Sequence, residues 1–385
     1  MDNSNLTLVC NPFAPIGRSV AALNIFRALR EVGYPPFVCD ISSRKYYKDI
    51  TREVLKELDD FLVEAPFGMV NLYIINGDEI ETTKSILGPF PVNSYNIIYP
   101  AWELEKYPHE WAKLIEENFN EIWVPSKFME NSLRKNCSKP IFNIPHPVNV
   151  TFSSFLGRPH FGLPESSFLF LFMFDFRSYI SRKNPLGFIE AFERACSVRP
   201  FADMRAVVKV SGIESLGQIG LRQLEDFQKR LSDSSASDKI ILLKGSFTEN
   251  EVKNLIRNCD CFVSLHRSEG FGLAIAEAMY LGKPVIATKY SGNLEFMREE
   301  NSFLVDYDLV PVKKEEYPHY EGQYWAEPNK DQAASYMVQL IDDPKRKSAI
   351  GRGARTFIGV NFSLLSIGLK IKQRVGEIIK IISGD

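Results

Sequence analysis

The sequence predicts an α/β protein built from two doubly wound, Rossmann-like domains, and three observations carry that expectation. Apolar strand-like runs alternate with amphipathic helical ones, the mark of parallel sheets flanked by helices. The alternation breaks once, between His146 and Ser167, where Pro147, Gly157, Pro159, Gly162 and Pro164 crowd a stretch without periodicity. The chain has 385 residues, 45% hydrophobic and 24% charged, enough for two separate cores.

The first domain is expected over residues 1–150. It opens with a strand at Leu6–Cys10 and a loop holding Pro12, Pro15 and Gly17. A helix then lines up Ala21, Ile25 and Leu29 on one face and stops at Gly33. Strands follow at Phe37–Ile41, Asn71–Ile75, Tyr95–Tyr99, Glu121–Pro125 and Ile141–Pro145. Residues 151–166 form the expected linker, and 167–361 the second domain. There a strand at Phe168–Phe176 leads to a helix at Asn184–Arg199, a strand at Ala206–Val210 and a polar helix at Leu216–Leu231. Lys239–Lys244, Glu249–Cys259, Cys261–Leu265, Leu273–Leu281 and Val285–Thr288 continue strand, helix, strand, helix, strand, and the chain from Asp331 reads as mostly helical.

Composition excludes several classes. Lys plus Arg total 46 against 48 for Asp plus Glu, a net charge of −2, unlike a dedicated nucleic-acid binder. The most apolar run, Phe168-Leu-Phe-Leu-Phe-Met-Phe174, falls far short of the ~20 residues that cross a bilayer. The first ten residues lack a basic, then apolar, leader pattern, so no signal peptide is expected. Cys10, Cys39, Cys137, Cys196, Cys259 and Cys261 show no C-x-x-C pair and read as free thiols of a reducing cytosol; Cys259-Asp-Cys261 has no second ligand cluster and reads as core.

The chemistry concentrates between Ser264 and Thr288. Gly270 and Gly272 let the backbone approach a ligand just before a helix. The free amides from Gly270, Phe271 and Gly272 to Leu273 and Ala274 then meet whatever occupies the helix start, where the dipole favours an anion such as a diphosphate. Glu269 precedes the helix and Glu277 lies about 6 Å inside it at 1.5 Å per residue. A nucleoside–diphosphate–sugar fits that layout, its ribose hydroxyls near Glu277 and its sugar near Glu269.

This phrase resembles the group-1, retaining glycosyltransferases of GT-B fold, whose Glu–x7–Glu signature reads E-G-F-G-L-x-x-x-E-A-M-x-x-G-x-P-V-I-A; each fixed position is matched here. Glu121-Ile-Trp-Val-Pro-Ser126 and Asn143-Ile-Pro-His-Pro-Val148 look like the end of that family's N-terminal domain. Arg182-Lys183-Asn184-Pro185, Ser291-Gly292-Asn293, Asn301-Ser-Phe-Leu-Val305 and Trp325-Ala-Glu-Pro328 resemble a bacterial branch that builds surface polysaccharides. The resemblance implies two domains facing across a cleft, with residues from about 362 to 385 returning to the N-terminal, acceptor-side domain through Ile367, Leu369, Ile371, Ile378 and Ile382. It implies that Glu269 holds sugar hydroxyls, that Glu277 holds the ribose and that Lys183 contacts the phosphates. The loop at Gly17, with Arg18 beside it, would face the phosphates from the other domain. Many relatives carry Gly-Arg after the first strand of the second domain, where this chain has Phe174-Asp175; the second cation is then Arg182 or Arg177, with Arg182 preferred because it adjoins Lys183.

Cations and helix-terminal amides aimed at a leaving diphosphate stabilise the charge that develops as the glycosidic bond breaks. The expectation is therefore transfer of a hexose, mannose by resemblance, from a nucleotide diphosphate-sugar to a saccharide or lipid-linked saccharide, with retention and without a metal cofactor. The rivals are an epimerase or hydrolase on the same fold, and a nucleotide-sugar-binding subunit without turnover. A dehydrogenase would want G-x-G-x-x-G after the first strand, where this chain reads Asn11-Pro-Phe-Ala-Pro-Ile-Gly17. The base pocket is expected in loops after Val210 and Lys244 and carries no legible code.

Secondary candidates have ordinary alternatives. Trp102 and Glu103, after an N-terminal strand, are set as acceptor contacts against a packing Trp and a capping Glu. His266 reads as a loop-stabilising histidine, His109 and His319 as structural or solvated, and His146 as near the cleft. Asp306-Tyr-Asp308 mimics a metal motif but reads as a turn. Arg44-Lys-Tyr-Tyr-Lys48, with Lys370, Lys372 and Arg374, is the candidate patch for weak peripheral membrane contact, with a solvated face as the alternative. The expected location is the cytoplasm.

Overall fold

The structure, a computed structural model, describes residues 5–14, 16–42 and 51–384. The chain separates into two units, Met1–Asn149 with Val360–Asp385 and Val150–Gly359. Both are parallel-sheet α/β Rossmann-like domains.

The first unit holds seven strands: β1 (Leu6–Cys10), β2 (Phe37–Asp40), β3 (Leu62–Val63), β4 (Val70–Tyr73), β5 (Tyr95–Ile98), β6 (Glu121–Val124) and β7 (Ile141–Asn143). All pair in parallel in the order β3-β2-β1-β4-β5-β6-β7. The central strands β1 and β4 are buried at every position, as strands covered on both faces must be. The strand order reverses between β1 and β4, and the crevice beyond such a reversal is where ligands meet open sheets.

The helix Gly17–Glu31 covers this sheet and packs against the helix Leu364–Ser383. Their contact is close at Gly368, where a Cβ would come within 2.3 Å of the Ala28 carbonyl oxygen. Ile367, Ile371, Val375 and Ile378 are buried on the inner face. Leu369 and Ile382, expected there too, are instead exposed: Leu369 falls outside the three- and four-residue spacing of that stripe, and Ile382 continues the spacing but lies in the helix's last turn. Arg374 is also no surface cation. It forks onto Glu121, which is fully buried, at 2.6 and 3.0 Å, and lies 3.8 Å over the Phe142 ring. The basic stretch 44–48 lies outside the described residues.

The second unit holds β8 (Phe168–Asp175), β9 (Met204–Ser211), β10 (Ile240–Lys244), β11 (Cys261–Ser264), β12 (Val285–Thr288) and β13 (Phe303–Val305), all parallel, in the order β10-β9-β8-β11-β12-β13. A hairpin of β14 (Tyr307–Pro311) and β15 (Tyr324–Pro328) follows. Phe170, Phe172, Phe188 and Phe192 fill the core between β8 and the helix Pro185–Val198, with the Phe172 and Phe188 rings stacked at 5.1 Å. Here the reversal falls between β8 and β11.

Residues 151–166 do not hang free. Asn250, Asn254 and Asn258, on one face of the helix Glu249–Asn258, bind the backbone of Ser153 and Leu156, and Arg158 pairs with Asp260 at 2.9 Å. The stretch is a strap held by polar side chains, which is why it shows no apolar period. Among the described residues no helix is long and apolar enough to cross a membrane.

Candidate functional site

The loops after β8 and β11 meet at the second unit's strand reversal and bring Arg182, Lys183 and Glu269 together. Lys183 Nζ lies 2.5 Å from one Glu269 oxygen, and an Arg182 guanidinium nitrogen 3.3 Å from the other. That same nitrogen donates to the Ser268 carbonyl at 2.9 Å, so Arg182, 4% exposed, braces the loop as well as its acid. Asn184, whose φ of 54° suits an asparagine, donates to Leu265 O and accepts from Gly187 N, tying both loops to the helix Pro185–Val198.

The loop after β12 supports Glu269 from the other side. Glu269 N–H donates to Ser291 Oγ at 2.8 Å, and Gly292 N–H donates to the Glu269 carbonyl at 2.8 Å. Only glycine fits at 292, since a Cβ there would come within 2.1 Å of the Gly270 carbonyl oxygen. His266 is fully buried beneath this layer, between Ser264 Oγ at 2.9 Å and Asn293 Oδ1 at 3.2 Å. Burial lowers its pKa, and its ring braces the loop from below.

The helix Leu273–Tyr280 starts beside Glu269. Gly272 precedes it with φ of 91°, a left-handed conformation that turns the chain sharply into the first turn. No side chain caps this start, and among the described residues the amides of Leu273 and Ala274 meet no acceptor. The result is a half-buried patch of peptide donors, positive by its dipole, next to a lysine.

The two acids are in opposite conditions. Burial alone pushes Glu269 up, but Lys183, Arg182 and His266 together outweigh it and hold the carboxyl at about 2. Glu277, 6% exposed, is pushed by burial to about 7, with Lys253 pulling back and Glu249 pushing further. Among the described residues its carboxyl has no hydrogen-bond partner, which is unusual for so buried a group.

That condition has a testable cost. Between pH 4.5, the ordinary value, and about 7 the folded chain keeps the Glu277 proton that the unfolded chain releases, so stability falls as pH rises through this window. Glu277→Gln should match the parent's melting temperature at pH 5 and exceed it at pH 8; equal values at pH 8 would refute the buried-acid reading.

The remaining candidates stand apart. Arg177 forks onto Asp175 and braces its own turn, so of the two arginines only Arg182 reaches Glu269. Gly17 and Arg18 lie in the first unit, at that unit's strand reversal. Gly17 opens the helix Gly17–Glu31 with no atom within 4 Å of a Cβ built on it, and Arg18 forks onto Glu79. Trp102 takes the packing role of its two expected readings: at 2% exposure it packs among Tyr107 and Trp111 and donates to Lys106 O. Glu103 is half-buried. His146 is bonded to the Tyr99 hydroxyl at 3.0 Å, and burial lowers its pKa. Asp306 bonds Gln332, and Asp308 pairs with Glu327 across the β14–β15 hairpin, an ordinary turn and strand. Ser291 and Asn293, part of a recognisable phrase, carried no legible role until the structure set them under Glu269 and His266.

Comparison with known proteins places the chain. Residues 158–357 match the family described as glycosyl transferases group 1, over half of the chain. The alpha-1,3/1,6-mannosyltransferase ALG2 of Mus musculus is 23% identical over 156 residues, 40% of this chain and 32% of that protein. The D-inositol 3-phosphate glycosyltransferase of Thermomonospora curvata is 24% identical over 201 residues, 51% of this chain and 40% of that one. The match thus spans well under half the length of either relative. Sucrose-phosphate synthase from Thermosynechococcus elongatus superposes with a TM-score of 0.69 at 14% identity, covering 98% of this chain and 100% of that one. Anabaena Alr3699/HepE, in complex with UDP and glucose, gives 0.65 at 13% identity, covering 97% and 100%. Those likenesses establish the GT-B glycosyltransferase fold, and with the family match over the second unit they show that the chain belongs to the group-1 glycosyl transferases.

Proposed function

We propose that this chain is a retaining, metal-independent hexosyltransferase that draws on a nucleotide diphosphate-sugar and serves a saccharide or lipid-linked saccharide acceptor in surface-polysaccharide synthesis. The observation that carries the reading is the uncapped helix start between two buried acids, one ionised and paired, the other without a partner. A diphosphate on the amides of Leu273 and Ala274 puts a sugar within reach of Glu269 and a ribose within reach of Glu277. As the bond from the anomeric carbon to the phosphate oxygen breaks, negative charge gathers on the diphosphate. Lys183 and the helix amides stabilise it there, and Arg182 keeps Glu269 ionised and in place to grip sugar hydroxyls. The acceptor hydroxyl then attacks from the face the diphosphate leaves, passing its proton to the departing phosphate oxygen, which preserves the anomeric configuration.

HepE, solved with UDP-glucose, supports a nucleotide-sugar donor. ALG2, named a mannosyltransferase, supports a mild preference for mannose. The place of work is the cytoplasm, with weak contact to the membrane face where the acceptor is lipid-linked.

Thermal denaturation with UDP, GDP and ADP, with and without EDTA, tests the donor site. One diphosphate at about 100 times its Kd should stabilise the chain by about 2.7 kcal/mol, unaffected by the chelator. No stabilisation by any of them, or stabilisation only with added magnesium or manganese, would overturn the reading. Incubation with the sugar nucleotide then separates a transferase from a hydrolase: free sugar with no acceptor-linked product would favour the hydrolase.

A further inference from the structure

Lys209 is a buried cation with no hydrogen bond or ion pair among the described residues. It sits two residues before the end of β9 at 6% exposure. Val208 and Val210 point into the core, so strand alternation turns Lys209 to the other face of the sheet. There its ammonium lies 5.2 Å from the centroid of the Phe247 ring. Among the described residues it has no hydrogen bond and no ion pair. The nearby carboxylates are engaged elsewhere: Asp175 by Arg177 and Ser211, Glu214 by Ser246, and Glu251 by Thr248 and His160. Burial lowers the pKa of Lys209, with Asp175 and Glu214 pulling it back. A buried donor left unmade is more costly than a made bond is beneficial. A chain that keeps one at the ligand end of a sheet keeps it for an acceptor from outside.

Its position identifies that acceptor. Lys209 and Glu277 both have charged neighbours on the helix Glu249–Asn258. Glu277 has Glu249 and Lys253 as its charged neighbours, while Lys209 has Glu251 and the Phe247 ring just before that helix. In the sheet β9 stands two strands from β11, about 10 Å at the usual strand spacing. That is the scale of the step from a diphosphate across a ribose to a base.

We infer that Lys209 reads the base of the nucleotide donor, its ammonium donating to a ring carbonyl oxygen while the Phe247 ring lies against the base. The inference rests on the donor site proposed above. An ammonium only donates, so it favours uracil or guanine where it meets their O4 or O6 carbonyl, the position at which adenine presents an amine instead.

Calorimetric titration of the parent, Lys209→Met and Lys209→Gln with UDP, GDP and ADP tests this. The parent should bind UDP or GDP at least about tenfold tighter than ADP, the scale of one charge-assisted hydrogen bond. Lys209→Met should lose that preference and melt no lower than the parent, since an unanswered buried charge has gone. Lys209→Gln, whose amide both donates and accepts, should narrow the gap by admitting adenine, and it carries the test if the Met variant does not fold. An unchanged preference in the folded variants, or none in the parent, overturns the role of Lys209 and leaves the donor site standing. Failure of the parent to bind any of the three nucleotides overturns the donor site itself, and this inference with it.

Discussion

Glu269→Gln is expected to lower the rate of glycosyl transfer by about 10²–10³-fold, the scale of removing one preorganised electrostatic contact, in a chain that stays folded. The substitution keeps the side chain's volume and removes its charge, so Lys183 loses the partner that fixes its position and the sugar loses an acceptor. Arg182, 4% exposed, keeps only the Ser268 carbonyl among the contacts described above. Breaking such a buried pair destabilises by up to about 3–5 kcal/mol. The pH dependence of stability supplies an independent reading. The folded pKa of Glu269, about 2, lies below its ordinary value of 4.5. The unfolded chain therefore takes the proton first, and the stability present above pH 4.5 drains away as pH falls toward 2. The variant should lack this share of the acid sensitivity, as acid titration followed by circular dichroism would show. A folded Glu269→Gln protein with transfer within tenfold of the parent would remove Glu269 from the mechanism.

Arg374→Met should destabilise the first unit by about 3–5 kcal/mol, a drop in melting temperature of roughly 10 °C for a domain of this size. Glu121 is fully buried and accepts from Tyr95 at 3.0 Å and Trp123 at 2.7 Å as well as from Arg374. Removing the guanidinium strands a carboxylate among aromatic side chains. Adding Glu121→Gln should restore most of the loss, because the amide is neutral and still meets the tyrosine and the indole. Calorimetry of the single and double variants decides it: a shift under about 3 °C in the single variant, or no recovery in the double one, would mean that the pair contributes little.

What was legible from residues alone follows from where the determining contacts lie along the chain. The parallel strands announce themselves as short, wholly apolar runs because both faces are covered, and the segment from Glu269 to Pro284 puts most of the proposed donor site into one contiguous phrase. Contacts between distant residues leave no such trace. Glu121 and Arg374 each look like a surface charge until the fold sets them together. The strap at 151–166 has no apolar rhythm because asparagines hold it, and only the four-residue spacing of Asn250, Asn254 and Asn258 hints at it. β3 is two residues long, and three of the five residues of β14 are exposed. Trp102 looked available because it follows a strand end, but its indole is consumed by packing. Lys209 is hidden inside an apolar run, where a lone lysine reads as an interruption.

The return of the helix Leu364–Ser383 to the first sheet sets an order of events during synthesis. Arg374 follows Glu121 by 253 residues, a wait of roughly 13 to 50 s at ribosomal speeds of about 5–20 residues per second. Through that interval the nascent first half holds an unneutralised acid and an uncovered helix flank, while the second half, one continuous stretch, emerges with all its own parts. The later-made half is thus free to mature first. The earlier-made half waits on the ribosome for its last helix, and through that delay it is the part that most needs shielding from aggregation.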